Sequence, residues 1–556
     1  MLHYFLLIFF SVLACFNIQA QNIVVKPYPQ DVETTSLYLL WETDNSGISY
    51  IDWGNSPFSL TQTFTSTSIS GSGNSRIHTV FVTGLSPDTK YYYQVRTGTG
   101  QTSLVYPIRT IPSKNSEKSS RLVAISDMQR DGGNPNKFEE IVEQGIVPVL
   151  QNQGSGDLPD LVNALLIPGD LVATGGIYSE WADFFFTQAD SLSPYTPIYP
   201  VLGNHEYFLG GEANFKKYFH LPTNGTVGKE DEWWYKDISN IRIIGLNSNS
   251  GSSDQATQLA WLQTVLDGAC ADTDIDFVFA ELHHPHKSEL WIAGENSFTG
   301  EVIAKMETFS TSCGKPSIHF FGHTHGYSRG QSIDHKHLWV NVATAGGNID
   351  YWGEFAQNDY AEFVKSQSEY GFVVLDIEAG SDPFFTLKRY SRGDEFTTQN
   401  NSLRDSISIK RFSSKPYTPL SLYPDNEVVN PICLTLKGSD FYHATSDIHQ
   451  ASHWQIASSN IDFEGTIVHE SWKQNENWYN EVNTQANDDL TDEFVSTNLS
   501  DNQSYYWRVR YRNDNLDWSD WSTTKTFTTG TSTLTSLTGN LLLNGNAESN
   551  LSLIHI

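Results

Sequence analysis

The spacing of hydrophobic and polar positions changes three times along this 556-residue chain. From about residue 22 to 112, runs such as SLYLLWET, SYIDWG, HTVFVTGL and KYYYQVRTG carry strand-forming side chains separated by turn residues. In LSPDTKYYYQV a turn leads into a strand whose side chains alternate between two faces. This predicts an N-terminal fibronectin-like β-sandwich over 22–112. The polar stretch PSKNSEKSS follows as a linker. Over 119–412 the pattern becomes continuous apolar runs alternating with helical periodicity. RLVAIS precedes NKFEEIVEQGI, ALLIPG precedes SEWADFFFTQAD, IRIIGLN precedes DQATQLAWLQTVL, and DFVFAEL precedes TGEVIAKMETF; PIYPVLG and SIHFFG are further apolar runs. Fully apolar strands between helices predict an α/β domain whose sheets are covered on both faces. Over 415–530 the alternation returns, and SYYWRVRYRNDNLDWSDWSTTKTFTT echoes KYYYQVRTG, which predicts a second fibronectin-like β domain. Residues 531–556 read as a linker and the start of a truncated β domain, and a longer native reading frame is expected to replace Leu551 to Ile556.

Composition narrows the partners. Charged residues are 18 % of the chain and aromatics 13 %, so the protein is folded and β-rich. A formal net charge of −30 with no basic stripe argues against nucleic acid or an anionic membrane. An anionic substrate would need a local positive charge, and metal ions are the obvious source. At the N-terminus the apolar stretch from Tyr4 to Phe16 is too short to span a bilayer. It predicts a signal peptide over 1–20, with a lipoprotein signal through Cys15 as the alternative. The protein is therefore expected to be secreted, periplasmic or at the cell surface. Beyond that leader only Cys270, Cys313 and Cys433 remain, without CxxC spacing, so a metal must be held by His and carboxylate. Cys270 and Cys313 each follow a predicted helix and precede a strand that ends in candidate ligands. If those strands are parallel neighbours the two cysteines share a sheet edge and a disulfide is open to them; two free thiols are the alternative.

The chemistry gathers at strand ends. RLVAIS runs into Asp127-Met128-Gln129, ALLIPG into Asp170, and PIYPVLG into Asn204-His205-Glu206. DFVFAEL runs into His283-His284-Pro285-His286, and SIHFFG into His323-Thr324-His325. In an α/β domain such ends converge on one edge. Any one of them alone reads as a turn or a solvated loop; five together point to a site. Carboxylate or amide oxygens and imidazoles in these numbers suit two metal ions bridged by one carboxylate. Two ions polarise a phosphoryl oxygen and activate a shared water.

Asp127, then GD at Gly169-Asp170, GNHE at Gly203 to Glu206, HHP at His283 to Pro285 and GHTHGYSR at Gly322 to Arg329 resemble the motif series of the calcineurin-like metallophosphoesterases. The last motif, and a β-sandwich ahead of the catalytic domain, look most like the purple acid phosphatase branch. The resemblance covers roughly 22–412. It implies a four-layer αββα sandwich flanked by all-β domains, and a secreted binuclear phosphatase acting on phosphomonoesters by attack of a metal-bound hydroxide. The alternatives are a phosphodiesterase and a non-catalytic surface protein that uses the domain as a scaffold. Carried over by motif, Asp170 bridges both ions. Asp127 and His325 bind the first, and Asn204, His283 and His323 bind the second. His205 contacts the phosphate and protonates the leaving alkoxide. His284 and His286 are candidates for substrate contact, and Arg329 for a structural ion pair or a phosphate. Two departures stand out. The position where purple members carry a tyrosine is Ala173, and Gln129 stands where other members carry histidine, so Gln129 is expected to ligate the first ion weakly. The metal is iron, manganese or zinc on this resemblance. Surface or carbohydrate attachment through the C-terminal β modules is a further expectation.

Overall fold

The computed structural model describes residues 20–446 and 448–532. The leader reading over residues 1–19 and the β domain beginning near residue 533 lie outside the described residues. No helix among the described residues is long and apolar enough to cross a membrane. The chain divides into two compact units.

The first unit opens with a β-sandwich. One antiparallel sheet takes Ile23–Gln30, Ser36–Thr43, Arg76–Thr83 and Thr67–Ser70; the other takes Gln62–Thr65, Ser49–Gly54, Lys90–Thr97 and Tyr106–Arg109. Along Lys90–Thr97 every second residue is buried, because one face of the strand meets the core and the other meets water. Tyr93, Trp41 and Trp53 fill the interior. Full burial of each large side chain contributes roughly 1.5–3 kcal/mol. The same unit continues into the α/β domain through a shared core. Tyr28 donates its hydroxyl to the Tyr218 carbonyl at 2.8 Å, and Tyr93 to that of Pro194 at 2.6 Å. The buried carboxylate of Glu42 accepts from Tyr218 at 2.9 Å and from Tyr178.

Two mixed sheets face each other in the α/β domain. In the six-stranded sheet, Ile198–Pro200, Ala164–Ile167 and Ser120–Ala124 run parallel, and Tyr370–Glu378, Phe384–Gly393 and Thr398–Lys410 extend it antiparallel. The nine-stranded sheet has a parallel centre of Ile241–Gly245, Phe277–Glu281, Ser317–Phe321 and His337–Val342. The rings of Phe277 and Phe279 meet Phe385 of the opposing sheet edge-on at 5.2 and 5.4 Å. The helices Ser252–Ala271 and Ser297–Cys313 cover the outer face of the larger sheet, with Leu262, Leu266, Val302 and Met306 packed on Ile244, Val278 and Ala280. The helical run 137–153 lies on the smaller sheet, where a Cβ on Gly145 would stand 2.8 Å from the Phe372 ring. This is the four-layer αββα architecture expected from the sequence.

The two helices end in Cys270 and Cys313, and their following strands are parallel neighbours. The cysteines are joined as a disulfide that closes a loop of sequence separation 43. A loop of that length stabilises the fold by about 2–4 kcal/mol.

Composition placed a single cut between 412 and 415. Packing interleaves instead: the chain leaves the first unit at Ser413, then returns to it for Glu476–Ala486 and for Asp514–Leu516. The reason is an open sheet edge. Trp478 pairs in parallel with Lys365 on the strand Phe363–Gln367, Asn477 donates to Asp359 at 2.9 Å, and the Tyr479 ring meets Trp352 edge-on at 5.0 Å. The hairpin Trp478–Tyr479 and Val482–Asn483 thus completes the nine-stranded sheet.

The second unit is itself a β-sandwich, with a three-stranded and a five-stranded sheet around Trp454, Trp507 and Tyr511. Alternate arginines of Ser504–Asn513 interleave with tryptophans of the DWSDWS stretch. The Arg508 guanidinium lies 4.2 Å from the Trp521 ring, Arg510 4.4 Å from Trp518 and Arg512 5.3 Å from Trp518. Each such cation–π contact contributes roughly 0.5–1 kcal/mol.

Candidate metal centre

Both sheets send their carboxyl ends to one place. Asp127 follows Ser120–Ala124, Asp170 follows Ala164–Ile167 and Asn204 follows Ile198–Pro200. His283 follows Phe277–Glu281, and His323 and His325 follow Ser317–Phe321. Three of these residues hold the left-handed backbone region: Asp127 with φ 58°, Asp170 with φ 52° and His323 with φ 72°. Each such residue costs about 1–3 kcal/mol, and such strain concentrates where side-chain direction matters more than backbone ease. Gly169 beside them has φ 89°, and a Cβ there would stand 2.6 Å from His283 Nδ1 and 2.8 Å from the Gly203 backbone. Only glycine fits that crossing.

Two groups of side chains result. In one, His325 Nε2 stands 3.2 Å from Asp127 Oδ1 and 3.0 Å from the Gln129 amide nitrogen. In the other, His283 Nε2 stands 3.2 Å from Asp170 Oδ2 and 2.9 Å from Asn204 Oδ1. Ligand atoms of Asp170, His283 and His323 all lie within 4.8 Å of one another. Asp170 touches both groups, since its Oδ2 is also 3.5 Å from Gln129 Nε2. The His283 ring is fixed by Nδ1 on the Pro168 carbonyl at 2.9 Å, and the His325 ring by Nδ1 on the Asn348 carbonyl at 2.5 Å. A carbonyl only accepts, so both Nδ1 atoms carry hydrogen; His283 Nε2 then faces oxygens, and His325 Nε2 faces the Asp127 carboxylate and the Gln129 amide nitrogen.

That arrangement is a test of metal fit. A neutral imidazole with hydrogen on Nδ1 turns a lone pair from Nε2 toward the carboxylate, which is repulsive unless positive charge lies between them. Burial opposes charge on His283, yet the carboxylate of Asp170, its hydrogen bond and Asp127 hold it above its ordinary value, at about 9. Burial likewise opposes charge on His325, and the Asp127 hydrogen bond and charge raise it to about 9. A proton or a metal cation at each Nε2 relieves that repulsion, and the mixed carboxylate, amide and imidazole donor set fits a metal. Burial drives His323 down to about 2 and His284 down to about 3, in each case with the charge of His283 adding to the effect. A metal must compete with the protons on His283 and His325 below pH 9. Metal affinity is expected to rise as pH rises from 6 toward 9, by up to about tenfold per unit for each proton displaced. Isothermal titration in buffers of different ionisation enthalpy reads that release, and an affinity flat over this range would remove both Nε2 atoms from the shell.

Of the residues singled out in the sequence, Asp127, Gln129, Asp170, Asn204, His205, His283, His323 and His325 are brought together. Gln129 presents its amide nitrogen to the group, and its buried Oε1 has no partner. Turning the amide over would aim the oxygen inward, an assignment set by the surrounding network. His205 anchors Nδ1 on the Ala173 carbonyl at 2.6 Å, which leaves Nε2 3.8 Å from Asp170 Oδ2. The His284 ring packs 4.4 Å from His323, with Nδ1 on Ser248 at 2.8 Å. His286 is not at the cluster. Its ring packs 5.9 Å from Trp339 and against Gly300 at the start of a covering helix, so the expectation of substrate contact is corrected. Arg329 is buried in an ion pair with Asp405, at 2.6 and 3.1 Å, which settles its use as structural.

Two residues were missed. Fully buried Glu206 accepts backbone N–H groups of Gly203 at 2.7 Å, Asp170 at 2.9 Å, Leu171 at 2.9 Å and Val172 at 3.4 Å. Burial and the neighbouring Asp170 charge push its carboxyl up, against the backbone N–H groups of Gly203 and Asp170 and the charge of His283. It clamps the loop that carries Asp170. The GNHE motif contained it, but only the bond pattern reveals the task. Glu206→Ala strands those donors, at about 1–3 kcal/mol each. It should weaken metal binding roughly 10–100-fold, the usual effect of removing an outer-shell partner. Thermal unfolding with metal titration checks this, and unaltered metal affinity would reduce Glu206 to a fold residue. Asp350 accepts the His325 backbone N–H at 2.7 Å and steadies the second histidine of the pair; nothing in GGNIDYW marks it.

A domain of two mixed sheets with this cluster at its strand ends is of the metallophosphoesterase class. Residues 120–327 match the calcineurin-like phosphoesterase family model, and residues 25–110 match the purple acid phosphatase N-terminal domain. The central domain is thus similar to the calcineurin-like phosphoesterases, and the domain before it to the purple acid phosphatase N-terminal domain. Residues 448–533 match a Rha78A-like N-terminal immunoglobulin domain, a β-sandwich model other than the fibronectin type expected from the sequence. Among solved structures, the purple acid phosphatase PPD1 of yellow lupin seeds superposes with a TM-score of 0.55 at 16 % identity, covering 69 % of this chain and 73 % of that one. PhoD superposes with a TM-score of 0.52 at 10 % identity, covering 70 % and 90 %. An uncharacterized protein of Mycobacterium tuberculosis is 27 % identical over 233 residues, 37 % of this chain and 42 % of the relative. An Arabidopsis thaliana protein named "Probable inactive purple acid phosphatase 1" is 23 % identical over 383 residues, 62 % of this chain and 61 % of its own length. This chain thus spans less than two thirds of each of these two relatives.

Proposed function

We propose that the chain is a secreted, binuclear metal-dependent phosphatase of phosphomonoesters. The observation that carries this reading is the facing of both imidazole Nε2 atoms toward carboxylates while both Nδ1 atoms are tied to carbonyls. On this reading Asp170 would serve both ions, Asp127 and His325 with the turned Gln129 amide would hold one, and Asn204, His283 and His323 would hold the other. Iron, manganese and zinc all accept such mixed oxygen and nitrogen donors. When bound, the ions supply Lewis acidity at the phosphoryl group and an activated water. His205 would supply the acid: its ring is anchored through Nδ1, and Nε2 is turned toward the cluster, 3.8 Å from Asp170 Oδ2. His284 walls the site beside His323. With a net charge of −30, the ions are what would attract a phosphate ester. Secretion is supported by the leader-like start of the sequence and by the Cys270–Cys313 disulfide, which suits an oxidising compartment. Ala173 offers no phenolate, so no charge-transfer band is expected even with iron bound.

The test is hydrolysis of a chromogenic phosphomonoester and the matching diester, with and without Mn2+ or Zn2+, beside a metal count per chain. Metal-dependent monoester hydrolysis supports the proposal. Faster diester hydrolysis would make the protein a phosphodiesterase, and inactivity toward both with two ions bound would leave a scaffold.

A further inference from the structure

The loop after His205 is built to present apolar groups. Phe208 is extended at φ −61° and ψ 130°, Leu209 is left-handed at φ 57° and ψ 30°, and Gly210 follows at φ 70°. Leucine rarely holds that backbone, and here it does so with 80 % of its surface exposed. Phe208 is 47 % exposed. The loop is braced from beneath: Gly175 N–H donates to the His205 carbonyl and Gly176 N–H to the Phe208 carbonyl, both at 2.9 Å. A Cβ on Gly176 would stand 2.5 Å from that of Leu209, so the brace needs glycine. The Phe208 ring lies 4.8 Å from the His205 ring. Strain and bracing thus set the Phe208 ring beside the proposed acid, with the exposed Leu209 next to it in the chain.

Charge around the cluster agrees. Among the described residues, no Lys or Arg side chain hydrogen-bonds or ion-pairs with Asp127, Asp170, Asn204, His205, His283, His323 or His325. Arg130, next to Gln129 in sequence, lies 5.8 Å over the Phe184 ring. The cluster itself therefore holds no side-chain cation to receive a second anionic group of the alcohol.

We propose that Phe208 and Leu209 form the leaving-group wall of the site, and that the substrates are phosphate esters of apolar, aromatic alcohols; this rests on the phosphatase reading. The acid defines which side of the phosphorus the alcohol occupies, so the wall meets that half of the ester and no other.

The experiment compares kcat/KM for benzyl phosphate and glycerol 3-phosphate, both alkyl esters, using the metal-loaded full chain. Benzyl phosphate is expected to be favoured by about tenfold or more, the range an apolar contact supplies. Phe208→Ala should bring the ratio close to one. Leu209→Asn, which keeps a residue that tolerates the left-handed backbone, should lower the ratio several-fold without risk to folding. Equal kcat/KM for the two esters, or variants that alter both alike, would overturn the wall while leaving the phosphatase reading intact. No hydrolysis of either ester, with two ions bound, would overturn both.

Discussion

Asp170→Asn is expected to yield a folded protein that holds no metal and has below about 1 % of wild-type activity. The reason lies in how many groups meet one carboxylate. Its Oδ1 accepts the His205 backbone N–H at 3.0 Å, and its Oδ2 faces His283 Nε2 at 3.2 Å and Gln129 Nε2 at 3.5 Å. Asparagine keeps the shape and tolerates the φ of 52°, so the backbone turn survives. What disappears is the charge shared between the two groups of ligands. Loss of a bridge must exceed the roughly 10–100-fold effect of an outer-shell change. Metal analysis per chain is the direct measurement. Two ions retained in the variant would show that Asp170 does not bridge.

His205→Ala should do the opposite to metal and nearly as much to rate. The ring turns Nε2 toward the cluster, 3.8 Å from Asp170 Oδ2, while Nδ1 is held by the Ala173 carbonyl. Both ions should stay. The rate should fall by about 10²–10⁴, the worth of a positioned acid. The fall should shrink as the leaving group improves, because a stable phenolate needs no proton while an alkoxide does. A fall of the same size for nitrophenyl and alkyl esters would make His205 a ground-state contact with the phosphate.

What the sequence disclosed follows from distance along the chain. Asp127, Asp170, Asn204, His283 and His325 each lie within a few residues of an apolar run, so reading the run locates the candidate ligand. The helices and central strands were legible for the same reason, since periodicity is local. His286 shows the limit. It shares a four-residue stretch with His283, yet its ring turns toward Trp339 and Gly300 under a covering helix, and spacing alone does not tell which way a loop turns. Glu206 was visible and unexplained, because its partners are backbone N–H groups that carry no sequence signature. Asp350 was invisible, because the bond to His325 spans a loop with no pattern. The Cys270–Cys313 link needed one further fact, that Phe277–Glu281 and Ser317–Phe321 are parallel neighbours.

The hairpin at Glu476–Ala486 sets an order in time. A chain emerging from the ribosome presents the strand Phe363–Gln367 long before its neighbour Trp478–Tyr479 exists. During that interval the large sheet has a bare edge, the kind that recruits strands from other chains. Trp352, two residues beyond the Asp350 that steadies His325, waits equally long for the Tyr479 ring. The α/β domain is therefore finished by a piece of chain translated after it. A shortened version that stops at residue 412 would be born with that edge open and would never close it.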